Sequence, residues 1–172
     1  MPSTWDHGLS SREKGARRQR IEEERDAVIA YLRSRLGNEH LLHWLRQVRI
    51  TRSHDGHILM LTPMLDGHGR ICGVQRTDLT PDGEKLERKM LGRHGVMPVQ
   101  PPVGVLPVSI LDLPKAALIG EGFETVAAAV QSCGHHGIVC YNAGGLRNWA
   151  DQQAKSASTA TPDRKAKAPA AV

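Results

Sequence analysis

Residues 116–145 constrain the fold of this chain more than any other part of the sequence. Residues 116–119 are apolar, a Gly-Glu-Gly run follows at 120–122, and residues 124–132 are rich in alanine and stop before Gly134. Residues 137–141 then form a second apolar run. This order predicts a strand, a tight turn, a helix ended by glycine, and a second strand parallel to the first with a right-handed crossover.

Polar residues and glycines follow each of the two predicted strands. Glu121 comes directly after the first strand, and Asn142, Gly144 and Gly145 belong to the loop after the second. Functional groups in such units gather at the carboxyl ends of the strands. We therefore expect Glu121 and Asn142 at the same edge of the sheet.

The spacing leaves two interpretations of Glu121 open. Gly120 and Gly122 let the backbone bend sharply and leave room for a phosphate group. The carboxylate between them can bind a divalent cation or take a proton from an attacking hydroxyl. Alternatively, the glycines only make a strand-to-helix turn, and Glu121 or Glu124 complements the helix dipole.

The residues before this unit predict helices followed by an antiparallel sheet. Apolar residues recur at helical spacing from about residue 12 to Leu36, with Gly37 as the stop, and a short second helix covers residues 41–45. Residues 47–78 are rich in β-formers, and an Asp-Gly-His-Gly run at 66–69 predicts a hairpin turn within an antiparallel meander. The predicted fold class is α/β in the broad sense of a mixed α+β chain.

Three segments complete the prediction. Residues 79–96 open with a Pro-Asp-Gly turn and predict a short basic helical turn at Lys85, Arg88 and Lys89. Residues 98–109 are rich in proline, which lacks a ladder donor, so they predict an extended connection and not a central strand. The chain beyond Trp149 has no apolar periodicity and predicts disorder.

Four parts of the chain follow from these patterns. Residues 1–25 form a basic arm with the start of a helix, and residues 26–112 form a subdomain of helices and meander. Residues 113–150 hold the strand-helix-strand unit, and residues 151–172 form a disordered tail. The basic run at residues 12–20 is either a phosphate-contacting arm or a solvated helix face.

Charge and hydropathy indicate which classes of partner the chain can bind. The net charge of +5 favours a polyanionic partner through phosphate contacts. No apolar run reaches about 18 residues, and the polar N-terminus does not resemble a secretion signal. We therefore expect a cytoplasmic protein with no membrane partner.

The cysteines and histidines do not form a zinc pattern. The three cysteines are widely spaced, without a second cysteine or a histidine at zinc-ligand intervals, so we expect reduced, packed thiols. Adjacent histidines point in different directions, which favours solvated loops over metal ligation. The residues concerned are Cys72, Cys133, Cys140, His94, His135 and His136.

The strings LIGEGFETVAAAVQ at 118–131 and IVCYNAGGL at 138–146 resemble the Toprim domain of DNA primases, especially those of phage and plasmid primase-helicases. Upstream, YLRSRLG at 31–37 is similar to the helix end before the primase catalytic region. LTPMLDGHGRICGVQRTDLTPDGEK at 61–85 is similar to the strand pair and turn before Toprim. The resemblance spans about residues 26–148 and keeps the order of these pieces.

The resemblance implies a catalytic role for Glu121, as general base or as ligand of Mg²⁺ or Mn²⁺ in phosphoryl transfer. It implies active-site loops at Gly120, Gly122, Asn142, Gly144 and Gly145. It implies single-stranded DNA as a partner, and a helicase or another replication protein beside it. A basic surface facing the template would be formed by Lys85, Arg88, Lys89 and Arg93, for which a solvated face is the alternative.

Two features of the family are missing from the sequence. The family carries a D-x-D pair after a third strand, whereas here that region holds only Asp151 and Asp163, so we expect a Toprim unit truncated before this motif. A single glutamate holds Mg²⁺ weakly. The zinc module that usually precedes the primase core is missing too.

Two functional hypotheses therefore stand. The first is a primase-type nucleotidyltransferase acting in DNA replication, primer synthesis or nucleic-acid processing. The second is a non-catalytic nucleic-acid-binding or interaction module derived from a primase. Truncation of a longer gene is a third reading, and it predicts poor stability because a sheet stopped after two strands leaves an exposed edge.

Overall fold

The computed structural model describes residues 10–102 and 118–159, which form a mixed α+β fold. Two N-terminal helices precede four antiparallel strands, and a small mixed sheet and two further helices follow. In chain order the elements are α1 Ser11–Leu36, α2 Leu41–Arg46, β1 Arg49–Arg52, β2 Ile58–Leu65, β3 Ile71–Leu79, β4 Lys85–Gly92, β5 Met97–Val99, β6 Leu118–Gly120, α3 Phe123–Cys133, β7 Gly137–Val139 and α4 Ala143–Thr159.

Helix α1 matches the predicted first helix at both ends. Ser10 and Glu13 form a capping box, in which the Ser10 amide donates to the Glu13 carboxylate over 2.7 Å. The helix ends at Gly37, whose φ of 79° favours glycine. The part from Ala27 to Leu36 packs in the core, while most of residues 11–23 are exposed.

Four strands form an antiparallel sheet in the order β1-β2-β3-β4. The predicted hairpin turn joins β2 and β3, where the Asp66 carboxylate accepts hydrogen bonds from the amides of His68 and Arg70 at 2.9 and 3.0 Å. The bond from the Arg70 amide contributes most to lowering the pKa of Asp66 to about 2. The confirmed meander thus starts from a locally encoded turn.

The predicted basic helical turn at Lys85, Arg88 and Lys89 is wrong, because these residues belong to β4. Pairing with β3 supplies the backbone partners, with Arg88 opposite Thr77 and Lys89 opposite Arg76. Sheet pairing between distant residues outweighs the helix preference of Lys, Arg and Glu in this short segment.

The second sheet has the order β5-β7-β6. Strand β6 is parallel to β7 and α3 connects them, which confirms the predicted strand-helix-strand unit. Gly134 ends α3 with a φ of 71°. Strand β5 contains Pro98 and lies at the sheet edge, as a proline-containing strand should. Residues 103–109 of the predicted extended connection, and Ala116 at the expected start of the first strand, lie outside the described residues.

A single apolar cluster joins α1, α3 and both sheets. The fully buried Trp44 of α2 contacts Phe123 of α3 edge to face, and its indole N–H donates to Gln131 over 2.9 Å. Helix α1 reaches from β1, where Arg52 pairs with Glu24 at 3.0 Å, towards β4. Helices α1 and α3 therefore share one core with both sheets.

The prediction of disorder for residues 151–172 is wrong for residues 151–159, which extend α4. The helix starts where the Asn142 side chain accepts a hydrogen bond from the Gly145 amide at 2.7 Å. Alanine, glutamine and lysine favour helix even without an apolar stripe. Residues 160–172 lie outside the described part of the chain.

Within residues 10–102 and 118–159, none of the helices has the length and apolar character needed to span a bilayer.

Candidate functional site

The carboxyl edge of the parallel strands β6 and β7 brings Glu121 and Asn142 to the same side of the sheet. Gly120 lies opposite Val139, and the carbonyl oxygen of Gly120 accepts a hydrogen bond from the Cys140 amide at 2.8 Å. The two chain segments therefore leave the sheet together. We call Glu121 and the loop of residues 141–145 the rim.

Backbone strain and side-chain hydrogen bonds shape the rim loop. Tyr141 has a φ of 64°, unusual for a residue with a side chain, and its buried hydroxyl donates to the Pro63 carbonyl over 2.7 Å. Burial raises the pKa of Tyr141. The Asn142 side-chain nitrogen lies 3.4 Å from Nδ1 of His94. Tyr141 was not singled out from the sequence, because a positive φ leaves no local pattern. His94 was considered only as a metal ligand, because its contact with Asn142 bridges 48 residues of sequence.

The residues of the rim do not fit a magnesium centre. Glu121 is exposed, and the described residues contain no group of three or more His, Cys, Asp or Glu placed to hold a metal ion. Asp151, in the region where the family carries its aspartate pair, is exposed on α4 and follows no strand. Tight magnesium binding needs several oxygen ligands in octahedral geometry, and one exposed carboxylate does not supply them.

Glu124, three residues after Glu121, is held by two other elements. Its carboxylate accepts a hydrogen bond of 2.5 Å from the Tyr31 hydroxyl of α1 and forms an ion pair with Arg88 of β4. Arg88 also donates to the Tyr31 hydroxyl over 3.1 Å. The Glu124 side chain is 13% exposed and that of Arg88 31%, so this pair is partly shielded from water. Glu124 therefore braces α3 against both α1 and β4.

The environment of Tyr31 shows how closely these groups interact. Burial, together with the hydrogen bond to the Glu124 carboxylate and its charge, raises the pKa of Tyr31 to about 12. The guanidinium of Arg35 lies 5.7 Å from the centre of the Tyr31 ring, in cation-π geometry. Tyr31 thus contacts the Glu124 carboxylate through its hydroxyl and the Arg35 guanidinium through its ring.

A space of about 340 Å³ opens beside these groups, between α1, β4 and the first turns of α3. We call it the cleft. Three of its residues are cationic and one is acidic, so its lining carries a net positive charge at neutral pH. The lining residues are Tyr31, Arg35, Lys85, Arg88, Glu124, Thr125 and Ala128.

The structure separates the four predicted nucleic-acid-binding residues. Lys85 and Arg88 both line the cleft, because a bulge at Leu86 shifts the register of β4 against β3. Lys89 is not among the cleft residues, and its ammonium pairs with Glu87 at 2.7 Å. Arg93 is exposed just after β4, also away from the cleft lining.

Arg35 and Tyr31 complete the cleft but were not predicted as site residues. They lie four residues apart on α1, the spacing at which helix side chains are neighbours. That signal cannot tell which strand the helix will pack against. The contact with β4 bridges 57 residues of sequence between Tyr31 and Arg88.

The basic run at residues 12–20 lies on the exposed first turns of α1. Its charged side chains extend from a helix whose buried contacts begin at Glu24. Arg20 lies 3.8 Å from Glu24, a spacing typical of a weak surface pair. The exposed cations of this run are Arg12, Lys14, Arg18 and Arg20.

The expectations for the cysteines and histidines hold only in part. All three cysteines are free thiols, but Cys133 is exposed and not packed. Burial raises the pKa of the Cys140 thiol to about 11. His94 and His135 are exposed as expected, whereas His136 is buried beside β7. The pattern at 135–136 gave no sign that one of two adjacent histidines would face the core.

Comparison with known proteins adds no assignment: no protein-family model, no curated protein and no solved structure matches this chain.

Proposed function

We propose that this chain is a nucleic-acid-binding protein related to the Toprim domain of DNA primases, and that it binds single-stranded DNA through the cleft. The observation that carries the proposal is the convergence of Arg35, Lys85 and Arg88 from two elements around one open space. Arginine and lysine neutralise DNA phosphates and release their counterions, which supplies most of the affinity in such complexes.

The geometry of Arg88 supports this role. Its ion pair with Glu124 and its hydrogen bond to Tyr31 hold the guanidinium in one position, so less side-chain entropy is lost when a phosphate binds. Arg35 and Lys85 have no acidic partner among the residues that the structure describes. Their charges are therefore available to a polyanion. The basic run of α1 adds a second cationic surface.

Binding of a labelled single-stranded oligonucleotide, measured by fluorescence anisotropy across a range of salt, tests this proposal. We expect Lys85→Ala to weaken binding by about tenfold at low salt and to reduce the slope of log K against log salt by about 0.7. Lys89→Ala is the matched control, because Lys89 lies on the same strand outside the cleft and is paired with Glu87. Equal effects of the two substitutions, or no binding at all, would contradict the proposal.

A second candidate function is primase-type nucleotidyl transfer. It is favoured by the position of Glu121 after the first of two parallel strands joined by a helix, which is where α/β units gather their reactive groups. In this role the exposed carboxylate of Glu121 takes the proton from a 3′-hydroxyl while the hydroxyl oxygen bonds to the α-phosphorus of a nucleoside triphosphate, and pyrophosphate leaves. The rim residues Asn142 and Gly145 are joined by a hydrogen bond and follow the second of these strands.

Primer synthesis on single-stranded DNA, with nucleotides and Mg²⁺ or Mn²⁺, tests the second candidate. We expect product from the unmodified protein and a loss of at least about a hundredfold in Glu121→Gln, the range that general-base removal gives. Asp151→Asn, which changes an exposed carboxylate on α4, serves as the control. Failure to form primers, together with salt-dependent binding of DNA, leaves the binding protein as the function.

A further inference from the structure

We infer that the cleft binds a terminal phosphate group, a phosphomonoester, in preference to the phosphodiesters of a DNA backbone. This inference rests on the proposed function, because it names the part of a nucleic acid or nucleotide that the cleft recognises. The first observation in its support is the charge of the cleft lining. The lining contributes the cations Arg35, Lys85 and Arg88 against the single carboxylate of Glu124.

The charge of the cleft matches a dianion. Three positive groups and one negative group leave a net charge of two at neutral pH. A phosphomonoester carries a charge of about −1.5 to −2 at this pH, whereas a phosphodiester carries one negative charge. The cleft therefore balances a terminal phosphate more fully than a phosphate within a strand.

The first turn of α3 adds to this preference. Gly122 caps the helix without a side chain that could occupy the first amides, and Thr125 lies in the cleft lining. Amides at a helix N-terminus carry partial positive charge and bind phosphate oxygens. With the guanidinium groups of Arg35 and Arg88 and the ammonium group of Lys85, the cleft offers donors to several oxygens of one phosphate.

The lining does not favour a base. Tyr31 is the aromatic residue of the cleft, but it is 2% exposed and its hydroxyl is bonded to Glu124. Base stacking on protein needs an accessible ring face. Recognition in the cleft is therefore directed at the phosphate and not at the nucleobase, and two sources supply this chemistry: the 5′ end of a strand and a free nucleotide.

The experiment compares two single-stranded oligonucleotides of the same sequence, one with a 5′-phosphate and one with a 5′-hydroxyl, each labelled at the 3′ end. We expect the 5′-phosphate to bind about tenfold more tightly at 0.1 M salt, which corresponds to about 1.4 kcal/mol. In a second arm, deoxyadenosine monophosphate and deoxyadenosine compete against the 5′-hydroxyl strand. Stronger displacement by the monophosphate assigns the free nucleotide as a ligand, and a preference in the first arm assigns the strand end.

Two variants connect the preference to the cleft. Arg35→Ala removes an exposed guanidinium and is expected to reduce the tenfold preference to about twofold, while Arg35→Lys restores part of it. Thr125→Val changes one exposed hydroxyl of the lining and is expected to lower the preference without loss of folding. A thermal unfolding curve for each variant shows that the fold is kept.

The outcomes separate this inference from the proposed function. Equal binding of the two strands, with equal weak displacement by nucleotide and nucleoside, overturns the terminal-phosphate inference and keeps DNA binding. A phosphate preference that persists in Arg35→Ala and Thr125→Val also overturns it, because the phosphate then binds elsewhere. A third measurement, displacement of a fluorescent nucleotide by phosphate esters, covers the case in which the 5′-hydroxyl strand does not bind. Displacement in that case supports phosphate binding in the cleft and contradicts the proposed DNA-binding function.

Discussion

The rim and the cleft each include a carboxylate near the start of α3, and these two carboxylates have different surroundings. Glu121 at the rim is exposed, whereas Glu124 in the cleft is bonded to Tyr31 and Arg88 on two other elements. The two residues are three positions apart. A single short string thus contains one exposed carboxylate and another that joins α3 to two other elements.

This difference bears on the interpretation of the motif. The resemblance directs attention to Glu121, but the structure gives Glu124 the larger number of tertiary contacts. A glutamate bonded to an arginine and a tyrosine is a poor general base, because its lone pairs are already engaged. The string therefore combines an exposed carboxylate at the rim with a carboxylate that supports the cleft.

The largest expected effect is at Gly83, in the turn between β3 and β4, which contacts α1 beside the cleft. Its φ of 82° favours glycine, and an added Cβ would lie 2.6 Å from the Ala27 carbonyl oxygen and 2.8 Å from the Ala30 Cβ. We expect Gly83→Ala to lower the free energy of unfolding by about 3 kcal/mol, through backbone strain and displacement of α1. Denaturant unfolding measures it, and DNA binding should weaken as the cleft widens.

Gly56→Ala is the matched control for Gly83→Ala. Gly56 has a φ of 86°, but nothing lies within 4 Å of the position of an added Cβ. Its substitution carries the strain alone, and we expect a loss of about 1 kcal/mol. Equal losses for the two variants would show that α1 does not depend on its contact with the turn.

The second prediction compares the two carboxylates directly. Glu124→Ala leaves the partly buried Arg88 guanidinium and the Tyr31 hydroxyl without their acceptor, and we expect a loss of about 2 kcal/mol in unfolding free energy. Glu121→Ala removes an exposed side chain and should change stability by less than about 0.5 kcal/mol. The denaturant midpoints of the two variants measure these losses of stability. Similar losses at both positions would remove the distinction between rim and cleft.

Elements set by local sequence were the ones that could be predicted. The capping box at Ser10 and Glu13, the stop at Gly37, the hairpin turn after β2 and the strand-helix-strand order all depend on residues close in sequence. Short-range hydrogen bonds and glycine dihedrals decide these features, and both leave a readable pattern. The placement of Glu121 and Asn142 at one edge followed from the parallel strands alone.

Features set by distant contacts could not be predicted. The helical turn proposed at Lys85 is a strand because β3 pairs with it. The cleft exists because distant residues of α1, β4 and α3 come together around one space. The start of α4 gains a side-chain cap from Asn142, a residue that the sequence suggested only as part of a functional loop. The prediction of disorder from composition was therefore wrong for a capped, alanine-rich helix.

The smallest expected effect concerns the two tyrosines of the chain, one in each region. Tyr31 belongs to the cleft and Tyr141 to the rim, and burial raises the pKa of both hydroxyls. At neutral pH we expect Tyr31→Phe to cost about 1 kcal/mol, because the hydroxyl donates to the Glu124 carboxylate. Denaturant unfolding at pH 7 measures this loss.

The pH dependence then separates the two regions. A hydroxyl whose pKa is raised in the folded state stabilises the fold fully below its ordinary pKa of 10, and this contribution is lost as the pH rises through the folded value. For Tyr31 the loss falls between about pH 10 and 12, since ionisation would place a phenolate beside the Glu124 carboxylate. Tyr31→Phe should therefore lose less stability than the unmodified protein over this interval, and Tyr141→Phe should still show the Tyr31 loss. If instead the free energies of unfolding of Tyr31→Phe and of the unmodified protein fall in parallel from pH 9 to 12, the pKa of Tyr31 is not raised. In that case its hydroxyl is coupled to Glu124 no more strongly than a solvated hydroxyl would be.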